Sequence, residues 1–366
     1  MRVLHVVDSL DVGGAETLLT GLCTLWLGSA IQTEVYVLRG GGLLETTLMR
    51  AGVPIHIASG RSVYSPGHIW RLARFLRRHQ FDIIHVHLYP AQLWVCLAAR
   101  LSRSRTPIIT TEHSTSNRRR TGLFRWLDRW MYREFAAIAA ISEATRSALT
   151  AHIGENAPTI RVVPNGVDGG RFEFSGKRRS EPATDGLVIL CIGSLTRVKD
   201  QATIIRAIAK IDGARLLLAG DGPLRLELEA LALRLGVGSR VDFLGVREDI
   251  PQLVANADLY VQSSIWEGFC LAVVEAMCGR VPCIVSCNSG LQEVVGDAGI
   301  YFQPGNDDQL ASAIRALSRN AEERAAIINR GVVQAARFTL RACGEAYERL
   351  YGDTIRLLSN TDGRRI

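Results

Sequence analysis

Short unbroken apolar runs alternate with longer stretches in which apolar residues recur every three or four positions, and the alternation persists through most of the 366 residues. The runs read as buried parallel strands, and the periodic stretches as helices lying on a sheet. Strands are predicted at 2–7, 33–38, 53–57, 82–88, 107–111 and 136–141, then in a second series at 187–192, 216–219, 241–245, 258–262 and 281–285. Repeated βα units predict an α/β fold with parallel sheets. Ser142 reads as the N-cap of one helix and Asp200 as the cap of another running to Ile211. Pro223 suits a helix N1 position and Gly236 a helix C-terminus. Residues 169–186, polar and basic, read as a linker region. The expected division is therefore a first domain over 1–168, the linker, a second domain over 187–340, and a terminal helix and tail over 341–366.

Composition adds bounds. A hydrophobic content of 47% supports two sizeable cores at this length. Asp8 and Asp11 interrupt any secretion-type apolar segment, and no stretch nears the roughly 18 apolar residues a membrane span needs. Eight cysteines occur without a Cys-x-x-Cys pair, which predicts buried thiols in a reducing, cytoplasmic setting and no structural zinc.

The net charge of +7 is unevenly spread: residues 61–133 hold fourteen arginines against three acids. Within 117–133, Leu123, Trp126, Leu127, Trp130 and Met131 recur at helical spacing, with Arg125, Arg129 and Arg133 on another face. Arg118, Arg119, Arg120, Trp126 and Trp130 are thus candidates to meet an anionic membrane, joined by Arg71, Arg74, Arg77 and Arg78. A core helix with solvated arginines is the alternative. No nucleic-acid motif accompanies the patch, so nucleic acid is not expected as a partner.

Candidate chemistry clusters in loops that follow strands, where open α/β sheets collect ligands. Over 264–293, a loop bearing Glu267 and Gly268 leads into a helix bearing Glu275, about 12 Å further on at 1.5 Å rise per residue. The first amides of that helix, at Phe269, Cys270 and Leu271, attract phosphate. Gly13 and Gly14 open an earlier helix and allow close backbone approach. Residues 193–200 form a turn carrying Ser194, Arg197 and Lys199. Gly220 and Gly222, with no further glycine, are weak evidence for a dinucleotide site. His113 follows a strand, and His85 and His87 share one strand face. Two histidines with no third ligand in view do not make a metal site, so none is expected.

Glu267-x7-Glu275, Gly13-Gly14-Ala15-Glu16, Thr111-Glu112-His113, Pro164-Asn165-Gly166-Val167-Asp168, the Lys199 turn and the 241–245 segment occur in an order that resembles the retaining GT-B glycosyltransferases of family 4. The resemblance implies two Rossmann-like domains facing across a cleft, with the terminal helix crossing back to the first. It further implies transfer of a hexose from a UDP- or GDP-sugar, without metal or other cofactor, to a saccharide or lipid-linked acceptor in exopolysaccharide or lipopolysaccharide assembly. The enzyme would then sit at the inner face of the cytoplasmic membrane. By the same resemblance Glu275 binds the ribose and Glu267 the hexose hydroxyls. Lys199, aided by Arg197 because Ser194 stands where the family often has arginine, neutralises the leaving diphosphate. His113, Gly13 and Gly14 contact the sugar. For His85 and His87 the strand position itself predicts a buried or cleft-edge role, with acceptor binding near the strand's carboxyl end as the functional alternative. Lys199, Glu267 and His113 are the catalytic candidates, with same-face attack and the phosphate oxygen taking the acceptor proton. A sugar-nucleotide epimerase and a non-catalytic nucleotide-sugar-binding protein are the rival readings.

Overall fold

The computed structural model describes residues 1–362 except 59, 61, 116–123, 155–157 and 174–185. Most of the expected linker, 174–185, thus lies outside the described residues, as do Arg118, Arg119, Arg120 and Leu123. The chain forms two compact units, Met1–Gly166 with Leu340–Ile366, and Val167–Thr339.

The first unit runs β1 (Arg2–Val7), α1 (Gly14–Leu25), β2 (Gln32–Val37), α2 (Leu43–Ala51), β3 (Ile55–Ile57), α3 (Gly67–Arg78), β4 (Ile83–His87), α4 (Ala91–Ser102), β5 (Ile108–Glu112), α5 (Arg125–Arg133), β6 (Ala137–Ala140), α6 (Glu143–Ile153) and β7 (Thr159–Val162). Its seven strands are ordered β3-β2-β1-β4-β5-β6-β7, with parallel pairing throughout. The order reverses between β1 and β4, so the carboxyl ends of those two strands flank the crevice where such sheets bind ligands.

The second unit runs β8 (Leu187–Ile192), α7 (Gln201–Ala209), β9 (Ala214–Ala219), α8 (Arg225–Arg234), β10 (Val241–Gly245), α9 (Ile250–Asn256), β11 (Leu259–Gln262), α10 (Leu271–Cys278), β12 (Cys283–Ser286), α11 (Ser289–Val295), β13 (Gly299–Phe302), α12 (Asp307–Arg319) and α13 (Ala321–Ala335). Its parallel order is β10-β9-β8-β11-β12-β13, and the reversal lies between β8 and β11. Helix α14 (Leu340–Asp362) then belongs to the first unit.

Several local expectations hold. Ser142 caps α6 by accepting from the Thr145 amide at 3.1 Å. Gly236, in the left-handed region, closes α8, its amide donating to the Leu233 carbonyl. Others shift. Helix α7 ends at Ala209, two residues short of Ile211, and Pro223 precedes the Leu224 cap of α8 instead of occupying N1. Strands β7 and β13 were not expected. They are the outermost strands of their sheets and only four residues long; β7 mixes polar with apolar side chains, and the apolar run of β13 is too short to stand out.

What fixes α14 is both apolar and polar. Cys343, Tyr347, Leu350 and Tyr351 pack against Val3, Leu22, Trp26, Ile83 and Ile109. Trp26 Nε1 donates to Glu348 at 2.8 Å. The two tyrosine hydroxyls reach the sheet: Tyr351 meets His85 Nδ1 at 2.6 Å and Tyr347 meets Thr111 at 2.9 Å. Tyr351→Ala is expected to remove that hydroxyl and leave a cavity, lowering the unfolding free energy by about 3–5 kcal/mol. Urea unfolding monitored by tryptophan fluorescence checks this, and an unchanged midpoint contradicts the role assigned to α14.

Candidate functional site

In the second unit, the loops after β8 and β11 meet at the strand-order reversal. Ile265 N donates to Val198 O at 2.8 Å, joining the two loops. Ser263 Oγ, at 2.8 Å from both the Lys199 and Asp200 carbonyl oxygens, fixes the turn from the other side. The result is a contact between residues 68 apart: Lys199 Nζ donates to Glu267 Oε1 at 2.5 Å. Both side chains are mostly buried, at 21% and 10% exposure. Burial works against the Lys199 ammonium, but the charge of Glu267 outweighs it and holds the pKa above its ordinary value. The neighbouring Cys270 thiol is pushed up to about 12 by burial and stays neutral.

Glu267 is oriented by a polar chain along one face of β11. Tyr260 OH donates to Gln262 Oε1 (2.6 Å), Gln262 Nε2 to Ser264 Oγ (2.8 Å), and Ser264 Oγ to Glu267 Oε1 (2.7 Å). Ser286 and Asn288 hold the Ser264 carbonyl at 2.5 and 3.0 Å. None of these five was expected as part of the site. The signal was present as residues two apart, 260, 262 and 264, which share a strand face ending at the first acid.

Glycines set the spacing of this layer. A Cβ on Gly290, in the first turn of α11, would sit 2.2 Å from the Glu267 carbonyl oxygen. One on Gly220 would sit 2.1 Å from the Gly193 carbonyl oxygen. Gly220 and Gly222 are thus spacers beneath the Lys199 turn, which replaces their weak reading as a dinucleotide loop.

Cys270 is the N-cap of α10 and Leu271 its first residue, while Gly268 and Phe269 are buried beside them. Phe269 packs edge-on against Phe338. Glu275, half-buried in the second turn of α10, has its carboxyl pushed up to about 7 by loss of water, with Arg171 opposing. Ser194 and Arg197 are exposed on the turn, and Gln201 Nε2 donates to the Ser194 carbonyl at 3.0 Å. Asp200 precedes α7 in the left-handed region, its carboxylate accepting from the Thr203 hydroxyl at 2.6 Å.

The first unit places its candidates at its own reversal. Gly13 caps α1 and Gly14 begins it. His113 follows β5, half-buried. His85 and His87 are fully buried in β4, which agrees with the buried role expected of them and leaves no surface for the alternative acceptor contact. The register pairs His5 with His85 and brings a third histidine to the group. Nitrogens of His5, His85 and His87 lie within 4.8 Å of one another, so the third ligand missing from the sequence reading exists in space. Their bonding is nevertheless ring to ring and ring to hydroxyl. His85 uses Nδ1 for Tyr351 and Nε2 for Thr111, and His87 uses Nε2 for His5 and Nδ1 for His113. Those lone pairs and protons are committed, and the cluster has no carboxylate to offset a cation's charge.

Toward α5, Trp126 is exposed, but Trp130 is half-buried against the core with Arg100 stacked 5.2 Å from its ring, which corrects its expected membrane contact. Arg129 also turns inward, donating to the His152 carbonyl at 2.9 Å.

Comparison with known proteins bears on both units. Residues 12–171 match Glycosyltransferase Family 4, and residues 174–333 match Glycosyl transferases group 1. The chain is 31% identical over 323 residues to the putative glycosyltransferase EpsF of Bacillus subtilis, covering 82% of each. It is 29% identical over 194 residues to the lipopolysaccharide core biosynthesis glycosyltransferase LpsE of Rhizobium meliloti, covering 52% of this chain and 57% of that one. Anabaena HepE, solved in complex with UDP and glucose, has the same fold, with a TM-score of 0.85 at 22% identity over 96% of this chain and 100% of that one.

Gly290→Ala is expected to push the Glu267–Gly268 backbone away and misplace the carboxylate at Lys199. Overpacking of this kind costs about 1–3 kcal/mol, so the variant folds. Calorimetry should show nucleotide-sugar affinity reduced tenfold or more, on the order of the tightness lost when a charged hydrogen bond is misaligned. Wild-type affinity in this variant removes Gly290 from the site.

Proposed function

The chain belongs to glycosyltransferase family 4, and we propose that it is a retaining hexosyltransferase that uses a UDP-sugar, without metal, to extend a lipid-linked or saccharide acceptor. The observation that carries this reading is the Lys199–Glu267 pair at the carboxyl ends of β8 and β11, one cation and one anion held together beside the first turn of α10. An arriving diphosphate offers Lys199 a doubly charged partner, and a hexose offers Glu267 hydroxyl donors. Each half of the pair thus exchanges its present partner for a part of the ligand. The α10 amides and exposed Arg197 add positive potential where the leaving diphosphate gains charge. Glu275 accepts from the ribose hydroxyls, and His113, Gly13 and Gly14 serve the sugar. The acceptor hydroxyl attacks the anomeric carbon on the face from which the diphosphate departs. Its proton passes to a diphosphate oxygen, so no enzymic base is needed.

HepE's complex with UDP and glucose favours UDP as the nucleotide, and the LpsE likeness favours surface-polysaccharide assembly. Among the described residues no helix is long and apolar enough to cross a membrane. Contact with the inner face of an anionic membrane is proposed from exposed Arg71, Arg74, Arg77 and Arg78 on α3, with exposed Trp70, Phe124 and Trp126. Vesicle flotation checks this: Trp126→Ala with Arg74→Ala should release the protein from anionic vesicles, and unchanged flotation refutes the membrane contact.

A thermal-shift panel of UDP- and GDP-sugars with EDTA, beside NAD and ATP, tests the central reading. A rise with one UDP-sugar supports it, whereas a rise with NAD alone overturns it. Sugar turnover without any acceptor would indicate an epimerase.

Glu275 adds a pH signature. With its carboxyl raised to about 7, the unliganded protein holds a proton there in mildly acidic solution. Ribose hydroxyls favour the carboxylate, so binding expels that proton. Affinity should therefore fall by up to about tenfold per pH unit below that value and level off above it. Glu275→Gln should abolish the slope, and Glu275→Ala should weaken binding by about tenfold to a hundredfold. Calorimetry across the range decides, and a flat wild-type profile removes Glu275 from the ribose site.

A further inference from the structure

We propose that His5 and His87 are positioning residues that fix the ring tautomer of His113, so that His113 offers Nδ1–H to the transferred sugar as a neutral hydrogen-bond donor. The proposal rests on the reading above that His113 serves the sugar.

Three imidazoles form a chain across β1, β4 and the end of β5. His5 Nδ1 lies 3.2 Å from His87 Nε2, and His87 Nδ1 lies 3.4 Å from His113 Nε2. A neutral imidazole carries one N–H and one lone pair, so two ring-to-ring bonds in series have only two possible polarities. The far end of the chain decides between them. His5 is completely buried, its ring stacked on Trp26, and its Nε2 has no hydrogen-bonding partner among the described residues. If protons pointed toward His5, that Nε2 would carry an N–H buried without an acceptor, the rarer and costlier kind of orphan. The opposite polarity leaves only a lone pair there. His5 Nδ1–H then donates to His87 Nε2, and His87 Nδ1–H donates to His113 Nε2. His113 Nε2 is used as an acceptor, and its proton resides on Nδ1.

The remaining neighbours keep the chain neutral and separate. His85, whose ring lies 4.1 Å from that of His87, has both nitrogens engaged by Tyr351 and Thr111, so it neither donates into the chain nor draws from it. Burial pushes His5 down to about 3 and His113 to about 4, and holds His85 and His87 well below the ordinary range. A cationic ring at His87 or His113 would also lose its acceptor nitrogen and break the chain. His113 therefore meets a sugar oxygen as a donor and is not arranged to collect the acceptor's proton, consistent with that proton going to the diphosphate. The register makes this possible, because parallel pairing sets His5 beside His85 and the alternation along β4 returns His87 to the same face.

The direct test is the tautomer of His113 in full-length protein labelled with ¹⁵N-histidine, read from two-bond ¹H–¹⁵N correlations at about pH 7.5. The His113 ring is assigned by its loss in His113→Gln. Nδ1 protonated with Nε2 bare is the expected pattern, and Nε2–H on His113 overturns the proposal. The wild-type spectrum, with that assignment, decides even if His5→Phe does not fold.

His5→Phe keeps an aromatic ring at the buried end but removes the donor that polarises His87. It should give His113 a mixture of tautomers and lower kcat about tenfold. The KM for the nucleotide-sugar should stay within about twofold. An unchanged His113 tautomer in His5→Phe, or unchanged kcat, overturns the positioning role. Failure of the wild-type protein to bind or turn over any nucleotide-sugar would instead strike the transferase reading, while the spectrum still reports the chain's polarity.

Discussion

A buried ion pair is seldom kept for stability. Withdrawing Lys199 and Glu267 from water costs each its hydration, and their mutual attraction repays this only when other hydrogen bonds complete the set. Here Ser264 supplies one such bond, and it is held in turn by Gln262, Tyr260, Ser286 and Asn288. Most of the unusual features of the second unit follow from maintaining that contact. Polar residues on an otherwise apolar central strand, two loops bonded backbone to backbone, and glycines pressed against carbonyl oxygens all bring an ammonium and a carboxylate to one place. A preassembled pair also lowers the reorganisation needed on binding, since both groups are already desolvated and aimed.

The first unit solves a related problem with neutral groups. His5, His85, His87 and Thr111 project polar atoms from the centre of a parallel sheet, where unpaired polar atoms are costly. Tyr347 and Tyr351 on the returning helix complete two of these bonds. The same helix also closes an apolar cluster with Trp26 and Ile109. The return of the chain to its first unit is thus anchored by the layer that supports His113. A mutation that loosens α14 reaches that layer directly, through Thr111 and His85.

How much of this was legible depends on whether the information is local in the chain. Central strands announce themselves as apolar runs because both faces are covered. The edge strands β7 and β13 do not, and they were missed. Motif residues such as Lys199, Glu267 and Glu275 were readable because each lies in a recognisable local pattern. Gly290 and Gly220 were not, since their meaning is a close approach to a carbonyl many residues away. His5 passed without notice inside an apolar strand, and only the β1–β4 register places it beside His85. Trp130 was misassigned for a related reason: helical spacing showed an amphipathic face but not that α4 would cover it and set Arg100 over its ring. Periodicity identifies a face, and tertiary packing decides whether water or protein meets it.

The two strand-order reversals therefore present different chemistry. The first carries histidines that burial keeps uncharged, suited to hydrogen bonds with hydroxyl oxygens. The second carries a lysine whose charge is reinforced by its partner, together with a helix start and an exposed arginine, suited to a diphosphate. Neutral imidazoles at the β1–β4 reversal could not offset a leaving group that gains negative charge as the glycosidic bond breaks. The proposed function gives that task to Lys199 and Arg197, and it requires that the carboxylate of Glu267 be prevented from cancelling it. On the proposed function, hydroxyl donors from the sugar would do this by engaging the carboxylate oxygens, and the correct sugar would free Lys199 for the diphosphate. A nucleotide without a sugar would leave Glu267 competing for the same ammonium. Under that proposal the ion pair would link recognition of the sugar to stabilisation of the departing diphosphate, in a way that neither residue could achieve with a neutral partner.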